Sequence, residues 1–279
     1  ARAFRSLVPE NPLPVIRTRG TTRLLHQHWL NRKMHSDWTD FHISAGKIVS
    51  ERILSSVNIF AEKLKTIYYP VNCPQLPLGS QKDYRTEFQI SANAKVLAVV
   101  GRIRPVKGQR ILLQSLSILL QEFPDLVLLM PYRDTSENEP EMQALHADIS
   151  QFELEAHVRL IPEREDILSL MEFADVGVVS SVESEVICRV AVEFFSVGTP
   201  VVAFPTGCLP EIIRHAENGL LAEDQTPQAL TEELRKILVD TELRKNLGLG
   251  ARHDAEGRFN PQKMLAETLE IFERFLNNK

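Results

Sequence analysis

From Ala94 onward the chain alternates short apolar runs rich in Val, Leu and Ile with longer stretches of helical spacing, and this rhythm restricts the fold more than any other feature. The runs AKVLAVVG, LVLLM, HVRLI, DVGVVSS, PVVAFP and GLLAE have the character of strands. Between them, QRILLQSLSILLQEF, the polar stretch around MQALHADI, DILSLMEFA and EVICRVAVEFFSVG carry helical periodicity. Strands joined by helices of this length pair in parallel, since each crossover returns the chain to the same end of the sheet, and their continuous apolar character implies cover on both faces. The expected class is therefore α/β, a doubly wound parallel sheet. After Thr226 the pattern is helical to the end, with Pro227 suited to a first helical turn.

The first ninety residues repeat the rhythm in shorter form. LPVIRTRG, TDFHISAG and KLKTIYYP have strand character, while LNRKMHSDW and KIVSERILSS have helix character. That is about half of a doubly wound domain. Val71 to Asn93, rich in Pro, Gln and Ser, suits a linker. The organisation expected is a partial first domain with its linker over 1–90 and a second Rossmann-like domain over 91–260. A C-terminal helix over 261–279 is then free to pack back on the N-terminal part.

Several function classes fall away on composition and spacing. The cysteines Cys73, Cys188 and Cys208 are odd in number, far apart and without C-x-x-C spacing or a histidine cluster, which argues against disulfides and structural zinc. No Walker sequence occurs, and the G-x-G at Gly248-Leu249-Gly250 follows a helical pattern and lacks the third glycine. No apolar run reaches about 18 residues and the basic start lacks a secretory apolar stretch, so a cytoplasmic location is expected. Residues 1–52 hold nine Arg or Lys (Arg2, Arg5, Arg17, Arg19, Arg23, Arg32, Lys33, Lys47, Arg52) against four acids (Glu10, Asp37, Asp40, Glu51), a surplus of five in a chain of net charge −5. Such a stretch suits anionic lipid head groups, phosphorylated sugars or a solvated face. It lacks the aromatic interleaving of a single-strand nucleic-acid platform.

In a doubly wound sheet the informative residues are those just past the carboxyl ends of strands. Gly101-Arg102-Ile103-Arg104-Pro105-Val106-Lys107-Gly108 follows the first such strand; glycine permits a sharp turn, and Arg102 and Lys107 offer a forked and a point-like cation to an anion, or to solvent. Ser180-Ser181-Val182-Glu183-Ser184-Glu185 leads into an apolar helical stretch. With Glu185 at the helix mouth, Glu193 lies two turns on, about 12 Å along the axis and about 80° round it. Free amides at Val186, Ile187 and Cys188 then face any phosphate there, and the helix start is a setting that lowers a thiol pKa. A third loop, Phe204 to Pro210, presents glycine and small polar residues near Glu211, or is an ordinary strand-to-helix turn.

These residues together resemble a known family, the group 1 or family 4 glycosyltransferases, retaining enzymes of the two-Rossmann-domain GT-B fold. VVGRIRPVKGQRILLQSLSIL, DILSLMEFADVGVVSSVESE and the Glu185-to-Glu193 spacing closing in EFFSVGTPVVAFPTGCLPEII carry the resemblance over 90–225, with a weaker likeness over 14–72. It implies transfer of a sugar from a nucleoside-diphosphate sugar to a hydroxyl with retention. Arg102 and Lys107 would clamp the donor diphosphate in place of a metal, with Gly101 beside them; no cofactor beyond the donor substrate is expected. Glu185 would contact hydroxyls of the transferred sugar, Glu193 the ribose hydroxyls, and backbone at Ile161 to Arg164 the base.

The chain departs from the family pattern in two places. Common members carry Glu-Gly-Phe-Gly where this chain has Glu185-Val186-Ile187-Cys188. The variant Ser184-Glu185 with Arg189 is similar to a subgroup of lipopolysaccharide or cell-surface polysaccharide assembly; Arg189 is expected either to add a phosphate contact or to pair with Glu185 or Glu193. Roughly the first hundred residues of the family pattern are also absent, which implies an incomplete first domain and truncation. A donor-binding but inactive fragment and a nucleotide-sugar epimerase of similar fold remain as alternatives. The expected partners are the nucleotide-sugar donor and a carbohydrate or lipid-linked saccharide acceptor, not nucleic acid. Peripheral contact with the inner face of the plasma membrane and self-association through uncovered strand edges complete the expectations.

Overall fold

The structure is a computed structural model that describes residues 13–26, 28–57, 59–78, 83–183 and 185–276. The chain divides into two compact units, Ala1–Pro70 with Phe259–Lys279, and Val71–Arg258.

In the smaller unit β1 (Ile16–Arg19), α1 (Trp29–Ser36), β2 (Phe41–Ser44), α2 (Lys47–Ser56) and β3 (Leu64–Thr66) follow in order. The three strands form a parallel sheet in the order β1-β2-β3. Successive residues of a strand face opposite ways, and here the two faces differ in kind. Phe41 and Ile43 pack with Ile67 and with Ile271 of the final helix, Pro261–Leu276. His42 and Ser44 occupy the other face, where His42 stacks on His35 of α1 with ring centroids 5.4 Å apart.

The larger unit holds α3 (Tyr84–Glu87), β4 (Val96–Ala98), α4 (Gln109–Leu119), β5 (Val127–Tyr132), α5 (Pro140–Gln151), β6 (Val158–Pro162) and α6 (Ile167–Phe173). It continues through β7 (Val176–Val179), α7 (Arg189–Ser196), β8 (Val201–Ala203), α8 (Leu209–Ile212), β9 (Gly219–Leu221), α9 (Pro227–Val239) and α10 (Thr241–Gly257). Its six strands are parallel in the order β6-β5-β4-β7-β8-β9. The strand order reverses between β4 and β7, so the loops leaving them diverge and open a crevice at their carboxyl ends.

The helices cover this sheet with apolar stripes. Leu112, Leu116 and Leu119 of α4 are fully buried at helical spacing and join Leu97, Leu128 and Val178 in the core. Each such side chain contributes roughly 2 kcal/mol through removal from water. Ser115 Oγ donates to the Pro227 carbonyl at 2.9 Å and ties α4 to α9, whose start is capped by Thr226 Oγ1 accepting from the Ala229 amide at 3.2 Å. Gly177 in β7 lies under the Phe194 ring of α7, where a Cβ would meet ring carbon at 2.6 Å.

Two measurements check this packing. Phe194→Ala removes a fully buried ring and is expected to cost about 4 kcal/mol in a denaturant titration. Burial, then the positive charges of Arg17 and Arg19 with His42, hold His35 down from 6.5 to about 4. The unfolded chain therefore binds the extra proton first. Stability is expected to be full above about pH 6.5 and to fall as pH drops toward 4, with the His35 imidazole NMR resonances reporting the titration.

Candidate functional site

The crevice is built by the loops that leave β4 and β7. Beyond β4 the chain stays beside β5 until the Gly101 amide donates to the Pro131 carbonyl at 3.1 Å, and Gly101 then turns at a φ of 151°. Ile103 is buried beneath the loop, its amide donating to Thr135 Oγ1 at 3.2 Å, and Gln109 Nε2 donates to the Arg102 carbonyl at 2.7 Å. With its backbone so held, the loop projects Arg102, Arg104 and Lys107 into a cleft of about 470 Å³.

The loop after β7 is gripped from both sides by backbone. Ser180 Oγ donates to the Lys107 carbonyl at 2.9 Å and the Val182 amide to the Val106 carbonyl at 3.0 Å. A Cβ at Gly108, whose φ is 64°, would stand 2.0 Å from the Ser180 carbonyl oxygen. On the far side a Cβ at Gly207, φ 58°, would stand 2.0 Å from the Glu185 carbonyl oxygen, which accepts from the Cys208 amide at 2.7 Å. Both positions require glycine, for conformation and for space. The third loop predicted from sequence thus acts as the backstop of Glu185.

Glu185 is buried, and its Oε1 accepts from Ser181 Oγ at 2.6 Å and from Lys107 Nζ. The ammonium and the hydroxyl together offset the cost of burying the carboxylate. Lys107 and Glu185 line a recess of about 190 Å³ that shares Val100, Lys107, Arg189 and Val190 with the larger cleft.

The structure corrects the sequence reading at the start of α7. The helix begins at Arg189, not at Val186, because Cys188 takes a left-handed φ of 38° and the Glu185 carbonyl is claimed by Cys208. An α-helix through 185–189 would need that carbonyl for the Arg189 amide. The helical separation expected between Glu185 and Glu193 therefore does not apply, and Val186, Ile187 and Cys188 are not first-turn residues. Val186 and Ile187 line neither the cleft nor the recess, whereas Cys188 lines the recess. Burial, then the charge of Glu185, raises the Cys188 thiol well above its ordinary value, opposite to the expected lowering.

Arg189 and Glu193 sit one turn apart on α7 with Arg189 Nη2 3.4 Å from Glu193 Oε1, and both line the cleft. Arg102 lies 3.7 Å from Asp134, an exposed pair that restrains it little. Arg164 is engaged elsewhere. It bonds Asp166 and Glu87, the latter at 2.7 Å, and lies 5.5 Å over the rings of Tyr84 and Phe88, so it pins the turn after β6 more than it offers a free cation. Hydrogen bonds to Asp166 and Glu87 raise its pKa further. Ser184 lies outside the described residues.

The cleft lining has six cations, Arg102, Arg104, Lys107, Arg133, Arg164 and Arg189, against the carboxylates of Glu163 and Glu193. Arg133 was missed from sequence, although it stands just past β5, where the post-strand rule reaches. Ser181 was missed as the support of Glu185, since nothing in a loop sequence marks which hydroxyl turns inward. Among the described residues no group of three His, Cys, Asp or Glu side chains is placed to hold a metal ion, and no helix is long and apolar enough to cross a membrane.

The comparisons with known proteins bear on this region. The family described as glycosyl transferases group 1 matches residues 80–254. A D-inositol 3-phosphate glycosyltransferase of Jonesia denitrificans is 31% identical over 194 residues, 68% of this chain and 45% of that protein. A solved glycosyltransferase from Rickettsia africae superimposes with a TM-score of 0.85 at 21% identity, over 95% of this chain and 71% of that one. Anabaena Alr3699/HepE, solved in complex with UDP and glucose, superimposes with a TM-score of 0.77 at 25% identity, over 92% and 71%. The chain spans about half the length of the curated relatives it matches.

Gly207→Ala forces a Cβ into the Glu185 carbonyl at a left-handed backbone position. Its expected cost is about 3 kcal/mol in denaturant unfolding, well above the roughly 1 kcal/mol of an ordinary surface glycine replacement.

Proposed function

Because the chain belongs to the group 1 glycosyl transferases, we propose that it moves a sugar from a nucleoside-diphosphate donor to a hydroxyl of a carbohydrate or lipid-linked saccharide acceptor. The observation that carries this reading is the convergence of Arg102, Lys107, Arg189 and Glu193 on one cleft, with Glu185 in the recess behind it. The cations come from the divergence point of the sheet, where a ligand anion meets backbone amides and side chains together.

In this reading the donor diphosphate lies over the loop after β4. Arg102 and Lys107 neutralise its charge as the bond to the sugar breaks, the part a divalent cation plays in other transferases. Lys107 exchanges Glu185 for the diphosphate, and Glu185, still held by Ser181, accepts from hydroxyls of the transferred sugar. Glu193 accepts from the ribose hydroxyls, and the turn Ile161–Arg164, braced by Asp166 and Glu87, faces the base.

Retention follows if the acceptor hydroxyl attacks from the face the diphosphate leaves, giving its proton to a departing phosphate oxygen. The recess supports this route over a covalent one. With donor bound, Glu185 stays held by Ser181 and is occupied with hydroxyls of the sugar, and the Cys188 thiol is held protonated by burial. The complex of Anabaena Alr3699/HepE with UDP and glucose makes UDP the first nucleotide to test.

Calorimetric titration of the full chain with UDP, GDP and ADP, with EDTA throughout, should give saturable binding of one nucleotide. Arg102→Ala and Lys107→Ala are each expected to weaken it by about tenfold or more, the worth of one charge-assisted contact. If the chain binds none of the three, the donor assignment fails.

A further inference from the structure

Donor recognition leaves the polar face of the smaller unit unused. The sheet register sets Arg19 opposite Ser44 and Ser44 opposite Thr66. Each is the last residue of its strand, so this row is the carboxyl edge of a parallel sheet, where such sheets take ligands. Arg17 and His42, one pleat earlier, share the same face. Ser50 of α2 completes the cluster: Ser44 Oγ lies 2.6 Å from Ser50 Oγ and donates to Thr66 Oγ1 at 3.1 Å, and Ser50 Oγ lies 2.8 Å from Thr66 Oγ1.

A covered face of a parallel sheet is ordinarily apolar. Here it carries two arginines for which, among the described residues, no ion pair is present. Among the described residues, Arg17 Nε donates to Thr39 Oγ1 at 2.8 Å and Arg19 Nη2 to the Arg23 carbonyl, both neutral acceptors. Arg19 Nε is buried, with no hydrogen-bond partner among the described residues. Burial lowers the Arg19 pKa, and the His35 imidazole, neutral at pH 7, adds no like charge beside the arginines. Arg17, Arg19, Ser50 and Thr66 all remain half-buried, within reach of a ligand.

We propose that this row is the subsite for an oxyanion on the acceptor, a phosphate or a carboxylate borne by the saccharide that receives the transferred sugar. The inference rests on the glycosyl-transfer reading for the word acceptor, while the anion site itself stands on the smaller unit alone. Arginine forks match the paired oxygens of either group, and the half-buried hydroxyls of Ser50 and Thr66, backed by buried Ser44, can rotate a proton outward to a third oxygen. The bound anion supplies the counter-charge that the two arginines lack.

The test titrates the full chain with glucose, glucose 6-phosphate and glucuronate by ligand-observed NMR, with UDP affinity measured in parallel. At least one charged sugar is expected to bind about tenfold tighter than glucose, and the two arms tell phosphate from carboxylate. Arg19→Gln should abolish the preference, Arg19→Lys restore part of it, and Arg52→Gln, on the exposed side of α2, leave it intact. UDP affinity should be unchanged in Arg19→Gln. Arg17→Gln, expected to weaken the preference, serves if Arg19→Gln proves unfolded by circular dichroism.

Equal or undetectable binding of the three sugars overturns the proposal, as does a preference that survives both arginine variants. A matching loss of UDP affinity in Arg19→Gln also overturns it, by assigning Arg19 to the donor. Failure of the wild-type chain to bind any nucleotide sinks the donor reading and leaves the sugar arms to judge the anion site separately.

Discussion

Close approach of backbone to backbone at Gly108 and Gly207 is the constraint on which the cleft depends. Each glycine admits a carbonyl to within 2.0 Å of where a Cβ would stand, one from Ser180 and one from Glu185. The loop after β7 is thereby held between the loops after β4 and β8, across the point where strand order reverses. Hydrogen bonds from Ser180, Val182 and Cys208 complete the clamp. A site that must present charges within a fraction of an ångström gains from being set by backbone, which has far fewer soft degrees of freedom than a side chain.

Electrostatics follow from that geometry. Bringing the two loops together places an ammonium against a buried carboxylate, and Lys107 and Glu185 satisfy one another in the absence of ligand. Such a pair contributes little net stability because desolvation consumes most of the Coulomb attraction. Removing one partner without replacing it leaves a buried charge. An anionic ligand that takes over Lys107 while offering hydroxyls to Glu185 replaces both interactions together, which is what a diphosphate joined to a sugar can do.

The smaller unit shows the same principle without its counter-charge. Its sheet turns one apolar face to the final helix and one polar face to α1 and α2. On the polar face the arginines meet only neutral acceptors among the described residues. Charges desolvated at the carboxyl edge of a sheet are the observation from which the anion subsite is proposed.

Much of this was legible in the residues. The strand and helix alternation from Ala94 specified a doubly wound parallel sheet, since continuous apolar strands and intervening amphipathic helices have few other ways to bury themselves. The rule that ligands meet such sheets just past each strand singled out Arg102, Lys107 and Glu185, which the structure brings to one cleft and its recess, and it reaches Arg133 as well. The start of α7 was not legible: the apolar run from Val186 has helical spacing, yet the Glu185 carbonyl is taken by Cys208, 23 residues further along the chain. The raised Cys188 thiol has the same origin, because burial depends on what the rest of the chain packs over it. Periodicity and turn chemistry are local and so are written in the sequence. Which carbonyl a distant amide claims, which glycine admits a neighbouring loop and which charges end without partners are decided only when the sheet brings separated segments together.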